Sequence, residues 1–279
     1  MNRSFFCFIH IPKCGGLSFD DIFSRNLGDR YQRFPHHLYE GPISSFNLKL
    51  YIQETSDRVG AGGHRFSLDL PFGEIEKCDI KAICFVRDPI ARIRSEFFYL
   101  KTLPGSVGQN PLIRELDYAD YLKILLQDQQ KRENISQYQT SHLWGNLRLS
   151  DDFLNKMMAT QKVLLFPLER FDDACLYLEA TFPIYFSDTS FVKTNINEKR
   201  KKSDMESELE LELSPLLLAD KKLIDLARQQ TSHLISEVFG ARELAQARQK
   251  FENRCQNRST LREPIKRLAR KIYRVAASW

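Results

Sequence analysis

The apolar positions of this chain are grouped in continuous runs rather than in strict alternation with polar ones. Four runs of apolar or β-branched residues are typical of strands buried on both faces of a parallel sheet: 5–11, 58–62, 80–86 and 163–168. Segments with helical periodicity lie between and after these runs, at 17–27, 90–103, 118–129, 171–181 and 216–239. Strands that alternate with helices predict an α/β fold, with a parallel sheet flanked by helices and right-handed crossovers.

Two further segments differ from this pattern. Residues 198–212 are a run of charge, basic and then acidic, and we interpret them as a mobile surface loop or a lid. Residues 1–240 are predicted to form the main domain, and 241–279 a basic amphipathic helical tail. One face of that tail carries an apolar stripe, made of Ile265, Leu268, Ile272 and Val275. The stripe could lie on an anionic membrane surface or pack on the domain.

Composition and charge narrow the function classes. The chain has 279 residues, 42% of them hydrophobic, and a net charge of +5. From Arg254 onward there are eight basic residues and one acidic residue, so the preceding part carries a net charge of −2. This distribution argues against a nucleic-acid-binding surface on the body of the protein.

Cysteine usage and hydropathy bear on the compartment. The six cysteines form no CxxC pair and no Cys/His cluster, which favours reduced thiols over disulfides or a zinc site. The sequence shows no stretch long enough to span a bilayer and no secretory signal, so we expect a cytoplasmic protein.

Candidate chemistry begins where the first predicted strand ends, in IPKCGGLSF. Lys13 precedes Gly15 and Gly16, and Ser18 follows, so the order differs from the GxxxxGK[ST] loop of common nucleotide-binding proteins. The physical ingredients are similar, because glycines let backbone N–H groups converge on an anion and the next helix adds its dipole. The alternative is a plain strand–turn–helix connection.

A second candidate anion site follows another predicted strand, in FVRDPIARIRSEF. Arg87 lies at the strand's carboxyl end, where open α/β sheets bind ligands, and Arg92 and Ser95 share a face of the following helix. The alternative is a structural ion pair between Arg87 and Asp88. Two strand-end anion sites together indicate a nucleotide phosphorylated at both ends of its ribose.

These two motifs resemble a known family. IPKCGGLSF is similar to the 5′-phosphosulfate loop of the sulfotransferases that use 3′-phosphoadenosine 5′-phosphosulfate (PAPS), and FVRDPIARIRSEF to their 3′-phosphate motif. The carbohydrate branch, with the heparan sulfate 2-O-sulfotransferases and many bacterial relatives, resembles the chain most. The resemblance implies a sulfotransferase fold like that of P-loop nucleotide kinases. It also implies PAPS contacts from Lys13, Cys14, Gly15, Gly16, Leu17, Ser18, Arg87 and Ser95.

The resemblance extends to further segments and to the reaction. Gly63-His64 is similar to the family's GH segment, so the resemblance implies that His64 is the general base. QYQTSHLWG, residues 137–145, is similar to a segment that helps hold the nucleotide or acceptor, with Ser141 in place of an arginine. Cys14 and Leu17 stand where the family usually has threonines. LERFDDACLYL, residues 168–178, matches a segment expected to be architectural.

The predicted function is therefore transfer of the sulfuryl group of PAPS to a hydroxyl of a carbohydrate or glycan acceptor. Lys13 would neutralise the charge on the leaving phosphate, His64 would take the acceptor's proton, and no metal would be required. Two alternatives remain open: an ATP-dependent kinase of the same fold class, and a non-catalytic nucleotide-binding module.

Overall fold

The computed structural model describes residues 3–34, 41–102, 111–145, 151–192 and 203–276, with the backbone alone at 111–112 and 261–276. Its centre is a sheet of five strands: β1 (Arg3–Ile9), β2 (Tyr31–Arg33), β3 (Gly60–Gly63), β4 (Cys78–Val86) and β5 (Val163–Pro167). Every neighbouring pair is parallel, and the strand order is β2-β3-β1-β4-β5. The predicted parallel sheet is confirmed. The strand that the sequence did not predict, β2, has three residues and is too short for a recognisable apolar run.

Eleven α-helices lie in the described part of the chain. They are α1 (Gly16–Leu27), α2 (Ser45–Glu54), α3 (Pro89–Thr102), α4 (Tyr118–Gln127), α5 (Gln129–Ile135), α6 (Tyr138–Trp144), α7 (Asp151–Ala159), α8 (Phe171–Thr181), α9 (Asp204–Leu213), α10 (Leu218–Val238) and α11 (Ala241–Ala276). Short 3-10 turns precede α8 and α10. All five predicted helices are present, so the α/β fold with a helix-flanked parallel sheet is confirmed. No described helix is long and apolar enough to cross a membrane.

The core is built on the two central strands. The side chains of β1 from Phe5 to Ile9 are at most 1% exposed, because helices cover both faces of the sheet. Phe8 of β1 packs against Phe19 of α1, with ring centroids 5.0 Å apart, and Phe19 packs against Phe85 of β4 at 4.7 Å. These aromatic contacts fix α1, and therefore the turn before it, relative to the carboxyl ends of β1 and β4.

The interpretation of 198–212 as a loop or lid is wrong for its second half. Residues 204–213 form α9, which begins with a capping box between Ser203 and Glu206. Glu206 and Glu210 are buried and point to Arg94 of α3, with N–O distances of 3.8 and 3.1 Å. The acidic run therefore includes a face that packs on the protein, where an arginine distant in sequence pairs with two of its carboxylates. The basic half of the segment lies outside the described residues.

The first half of α11 packs on α8. Arg248 donates two hydrogen bonds to Asp173 at 2.8 and 2.9 Å, and Arg254 pairs with Glu179 at 2.7 Å. Phe251 is 1% exposed. The side chains of the apolar stripe in the tail lie outside the described residues, so its surface remains a prediction.

Candidate functional site

A cleft of about 370 Å³ opens at the edge of the sheet where β1, β4 and β5 end. The carboxyl ends of parallel strands are where open α/β sheets bind ligands. The cleft is lined by His10, Lys13, Gly15, Gly16, Leu17, Ser18, Arg87, Ser95, Leu168, Glu169, Phe171, Asp172 and Phe191. Seven of the nine predicted site residues thus share one cavity. The two others, Cys14 and His64, do not line it.

The turn between β1 and α1 places a lysine and two glycines at the start of a helix. Lys13 and Gly15 have positive φ values of 68° and 83°, so the chain turns sharply before the helix. Gly15 is the N-cap of α1 and offers no side chain to the first amide groups of the helix. The positive end of the α1 dipole therefore faces the cleft.

Gly16 has no room for a side chain. A Cβ at this position would lie 2.5 Å from Cε1 of His10 and closer still to its Nε2 and Cδ2 atoms. The His10 ring stacks on His64, with centroids 3.9 Å apart, and on Phe8, with centroids 5.3 Å apart. The loop and the imidazole are therefore in direct contact, and a glycine is required there.

Lys13 carries the positive charge of the loop. Its Nζ atom lies 3.8 Å from the centre of the Tyr99 ring, a cation–π contact. Burial lowers the pKa of Lys13, while the nearby carboxylate of Glu96 acts in the opposite direction. The ammonium group is thus held at the cleft by an aromatic face from α3.

Arg87 directly follows β4 and lines the same cleft. Burial lowers the pKa of its guanidinium group. Its Nη1 atom donates to the carbonyl oxygen of Lys13 at 3.3 Å, which joins the two predicted anion sites directly. Asp88 caps α3, because its carboxylate accepts a hydrogen bond from the N–H of Ala91 at 2.8 Å. Ser95, two turns into α3, reaches the same cleft.

Arg92 does not join Arg87 and Ser95 in the cleft. Its side chain is 1% exposed, pairs with Glu96 at 2.9 Å and lies over the ring of Tyr138 at 3.9 Å. The sequence predicted that Arg92 could act together with Ser95, and the structure places it in the packing between α3 and α6 instead. Helical spacing gave the face of the helix but not the depth of the residue.

The Cys14 thiol is directed into the protein. It is 1% exposed and donates to Oε1 of Gln139 at 3.3 Å. Burial raises the pKa of this thiol to about 12, so it is neutral at physiological pH. Any contact between Cys14 and an anion would use its backbone N–H group, which donates to the Ile11 carbonyl at 3.3 Å in this structure.

His64 does not line the cleft but stacks on His10, which does. Its Nδ1 atom is 2.8 Å from the carbonyl oxygen of His10. Because a carbonyl accepts only, Nδ1 must donate, and Nε2 is then the basic nitrogen. The glycines before His64 leave no open space, because a Cβ on Gly62 would meet Phe8 at 2.8 Å and one on Gly63 would meet Phe34 at 2.5 Å. They serve close packing of β3.

Two other histidines share this region. His10 lines the cleft, and burial, together with His64 and nearby cations, lowers its pKa to about 3. His142 of α6 has a pKa lowered to about 4, chiefly by burial, and its buried Nε2 atom has no hydrogen-bond partner among the described residues. His10, rather than the predicted base His64, is therefore the histidine on the cleft wall.

One wall of the cleft was missed by the sequence analysis. Leu168, Phe171 and Phe191 provide an apolar surface, and Glu169 and Asp172 add two carboxylates. Four of these five follow β5 directly, in a segment predicted to be architectural. The rule that ligands bind at strand ends could have found them, since β5 ends at the same edge. Among the residues that the structure describes, no group of three His, Cys, Asp or Glu side chains is placed to hold a metal ion.

Comparison with solved structures finds similar chains, whereas comparison by sequence finds none. No protein-family model matches the chain, and no curated protein matches it. The chain is similar to the crystal structure of a sulfotransferase from Alicyclobacillus acidocaldarius, with a TM-score of 0.41 and 14% identity. The match covers 81% of this chain and 97% of that chain.

Proposed function

We propose that this protein is a PAPS-dependent sulfotransferase that transfers the sulfuryl group to a hydroxyl of a carbohydrate or glycan. The observation that carries the proposal is the convergence of Lys13, the N-terminus of α1, Arg87 and Ser95 on one cleft. These groups come from two segments about seventy residues apart in the sequence, and both supply donors or positive charge. A ligand with anionic groups at both ends of a ribose suits that arrangement.

In this proposal each part of the donor has a counterpart in the cleft. The 5′-phosphosulfate would lie at the N-terminus of α1, beside Lys13, where backbone N–H groups and the helix dipole favour negative charge. The 3′-phosphate would bind Arg87 and Ser95. The apolar wall formed by Leu168, Phe171 and Phe191 would pack against the adenine ring.

Sulfuryl transfer then requires four changes at the reacting atoms. The acceptor oxygen forms a bond to sulfur, the bond from sulfur to the 5′-phosphate oxygen breaks, and adenosine 3′,5′-bisphosphate leaves with an added negative charge. Lys13 stabilises that charge, which develops as the bond breaks. The acceptor's proton passes to Nε2 of His64, which the hydrogen bond from Nδ1 to the His10 carbonyl leaves as the basic nitrogen.

Calorimetry with adenosine 3′,5′-bisphosphate tests the donor site directly. We expect micromolar binding to the wild type, and millimolar binding or none would favour a different ligand. Magnesium-dependent ATP turnover without a response to PAPS would support the kinase alternative. Tight binding without sulfate transfer to any acceptor would support the non-catalytic module.

Transfer of labelled sulfate tests the roles of the two predicted catalytic residues. We expect Lys13→Ala and His64→Ala each to lower the rate by roughly 10²-fold or more, the effect of removing a preorganised charge or a general base. Circular dichroism and the unfolding midpoint of each variant check that the fold is intact. Full activity in a folded variant would show that the residue does not have its proposed role.

A panel of glycans, lipids and small alcohols tests the acceptor class. Transfer to a non-carbohydrate alone would overturn the proposed carbohydrate acceptor.

A further inference from the structure

Gln139 of α6 holds the end of β4 through its side-chain amide. The residue is fully buried. Its Oε1 atom accepts from the N–H of Arg87 at 2.8 Å, and its Nε2 atom donates to the Arg87 carbonyl at 2.8 Å. Both backbone groups of Arg87 are thus paired as a neighbouring strand would pair them. The backbone from which the Arg87 side chain enters the cleft is fixed by this one amide.

The same amide also reaches the lysine loop. Cys14 donates its thiol hydrogen to Oε1 of Gln139 at 3.3 Å, so a single oxygen receives hydrogen bonds from both anion-binding segments. The contact between Arg87 and the Lys13 carbonyl, at 3.3 Å, is a second link between the same segments. The spacing of the two segments is therefore set by a small buried network.

Gln139 is itself held from the far side by α10. The carboxylate of Asp220, which is 1% exposed, accepts from the N–H of Gln139 at 3.1 Å and from the N–H of Thr140 at 2.9 Å. These bonds cap the first turn of α6, where the backbone at Gln137 has a φ of 56° and lacks a side-chain cap. Gln139 therefore stands on a rigid support and does not depend on a ligand for its position.

We propose that Gln139 is a positioning residue that sets the separation between the Lys13 loop and Arg87, so that one nucleotide engages both with its two phosphates. This inference rests on the proposed function. A ligand with two anchors gains from the second only when the geometry allows both to bind at once. Loss of the hydrogen bonds that join Gln139 to Cys14 and Arg87 should therefore remove the affinity gained from a second phosphate, while each site still binds one phosphate.

The test compares Gln139→Met with Gln230→Met. Methionine keeps the side chain's length and removes its hydrogen bonds. Gln230 is a matched control because it makes the same pair of bonds to β5: its Oε1 accepts from Leu165 N–H at 2.8 Å, and its Nε2 donates to the Val163 carbonyl at 2.7 Å. Gln230 does not line the cleft. Calorimetry gives the Kd of each protein for 5′-AMP and for adenosine 3′,5′-bisphosphate.

We expect the wild type to prefer the bisphosphate by about tenfold or more, the value of one charge-assisted anchor. Gln139→Met should reduce that preference to about twofold or less while 5′-AMP affinity changes little, since the second anchor alone is misplaced. Gln230→Met should lower the unfolding midpoint and keep the wild-type preference. A role of Gln139 in stability alone would leave the ratio of the two dissociation constants unchanged.

Three results would count against the inference, in distinguishable ways. A wild-type preference that survives in Gln139→Met overturns the positioning role and leaves the proposed function standing. A wild type that does not prefer the bisphosphate overturns the proposed function, and the inference with it. If Gln139→Met does not fold, Cys14→Ala removes the hydrogen bond from Cys14 to Gln139 and should lower the preference for the bisphosphate about threefold. An unchanged preference in Cys14→Ala would overturn the inference.

Discussion

The contact between Gly16 and His10 gives the sharpest test of the loop geometry. Gly16 is the first residue of α1, and a Cβ there would lie 2.5 Å from Cε1 of His10 and closer to two other ring atoms. The ring is 6% exposed and stacks on Phe8 and His64, so it cannot turn away without displacing the core. Gly16→Ala therefore forces either the loop or the imidazole to move.

The expected cost follows from two opposing effects. Overpacking a closed site costs typically about 1–3 kcal/mol. Alanine favours a helix over glycine by up to about 1 kcal/mol, and less at the first helical position, so this gain offsets only part of the cost. We expect a net loss of about 1–2 kcal/mol in the free energy of unfolding, with weaker nucleotide binding because the loop lies against the displaced ring.

Urea denaturation of Gly16→Ala, His10→Ala and the double variant measures this directly. The His10→Ala variant loses packing on its own, but it removes the atoms that a Cβ on Gly16 would strike. The alanine at Gly16 should then cost at least about 1 kcal/mol less in that background than in the wild type, a coupling expected for residues in contact. Equal costs in the two backgrounds would refute the steric reasoning.

Two further predictions concern stability. Arg94→Met should destabilise the protein by about 3 kcal/mol, because the buried carboxylates of Glu206 and Glu210 lose their ion pairs with its guanidinium group. Thermal unfolding measures the loss, and changing both glutamates to glutamine should recover much of it. A loss under about 0.5 kcal/mol would contradict a buried network. Acidification should also destabilise the fold, because the pKa of His10 is lowered to about 3 and that of His142 to about 4. Between about pH 6.5 and 4 the unfolded chain therefore binds protons that the folded chain does not. Urea denaturation at several pH values should show this stability fully present above that window. Within the window the free energy of unfolding should fall by up to about 1.4 kcal/mol per pH unit for each histidine. His10→Asn should show a shallower dependence of that free energy on pH, and an identical dependence would exclude His10 as a contributor.

The sequence by itself determined the sheet, its parallel direction and the edge at which the cleft lies. Continuous apolar runs report burial on both faces, and that property belongs to the strand's own residues. Because parallel strands end at one edge, the positions of Lys13, Arg87 and Ser95 after their strands were enough to place them in one cleft. The wall that follows β5 obeys the same rule, although the sequence analysis did not use it.

The tertiary structure decided everything that depends on a partner distant in sequence. The pattern gave no reason to expect that Arg94 would turn an acidic run into a packed helix, or that Gln139 would join Cys14 to Arg87. The deep burial of Arg92 and the close packing of Gly62 and Gly63 against Phe8 and Phe34 likewise depend on residues distant in sequence. Periodicity reports which face of an element is buried, but the depth of each side chain and the atoms beside it are fixed only when the chain is folded.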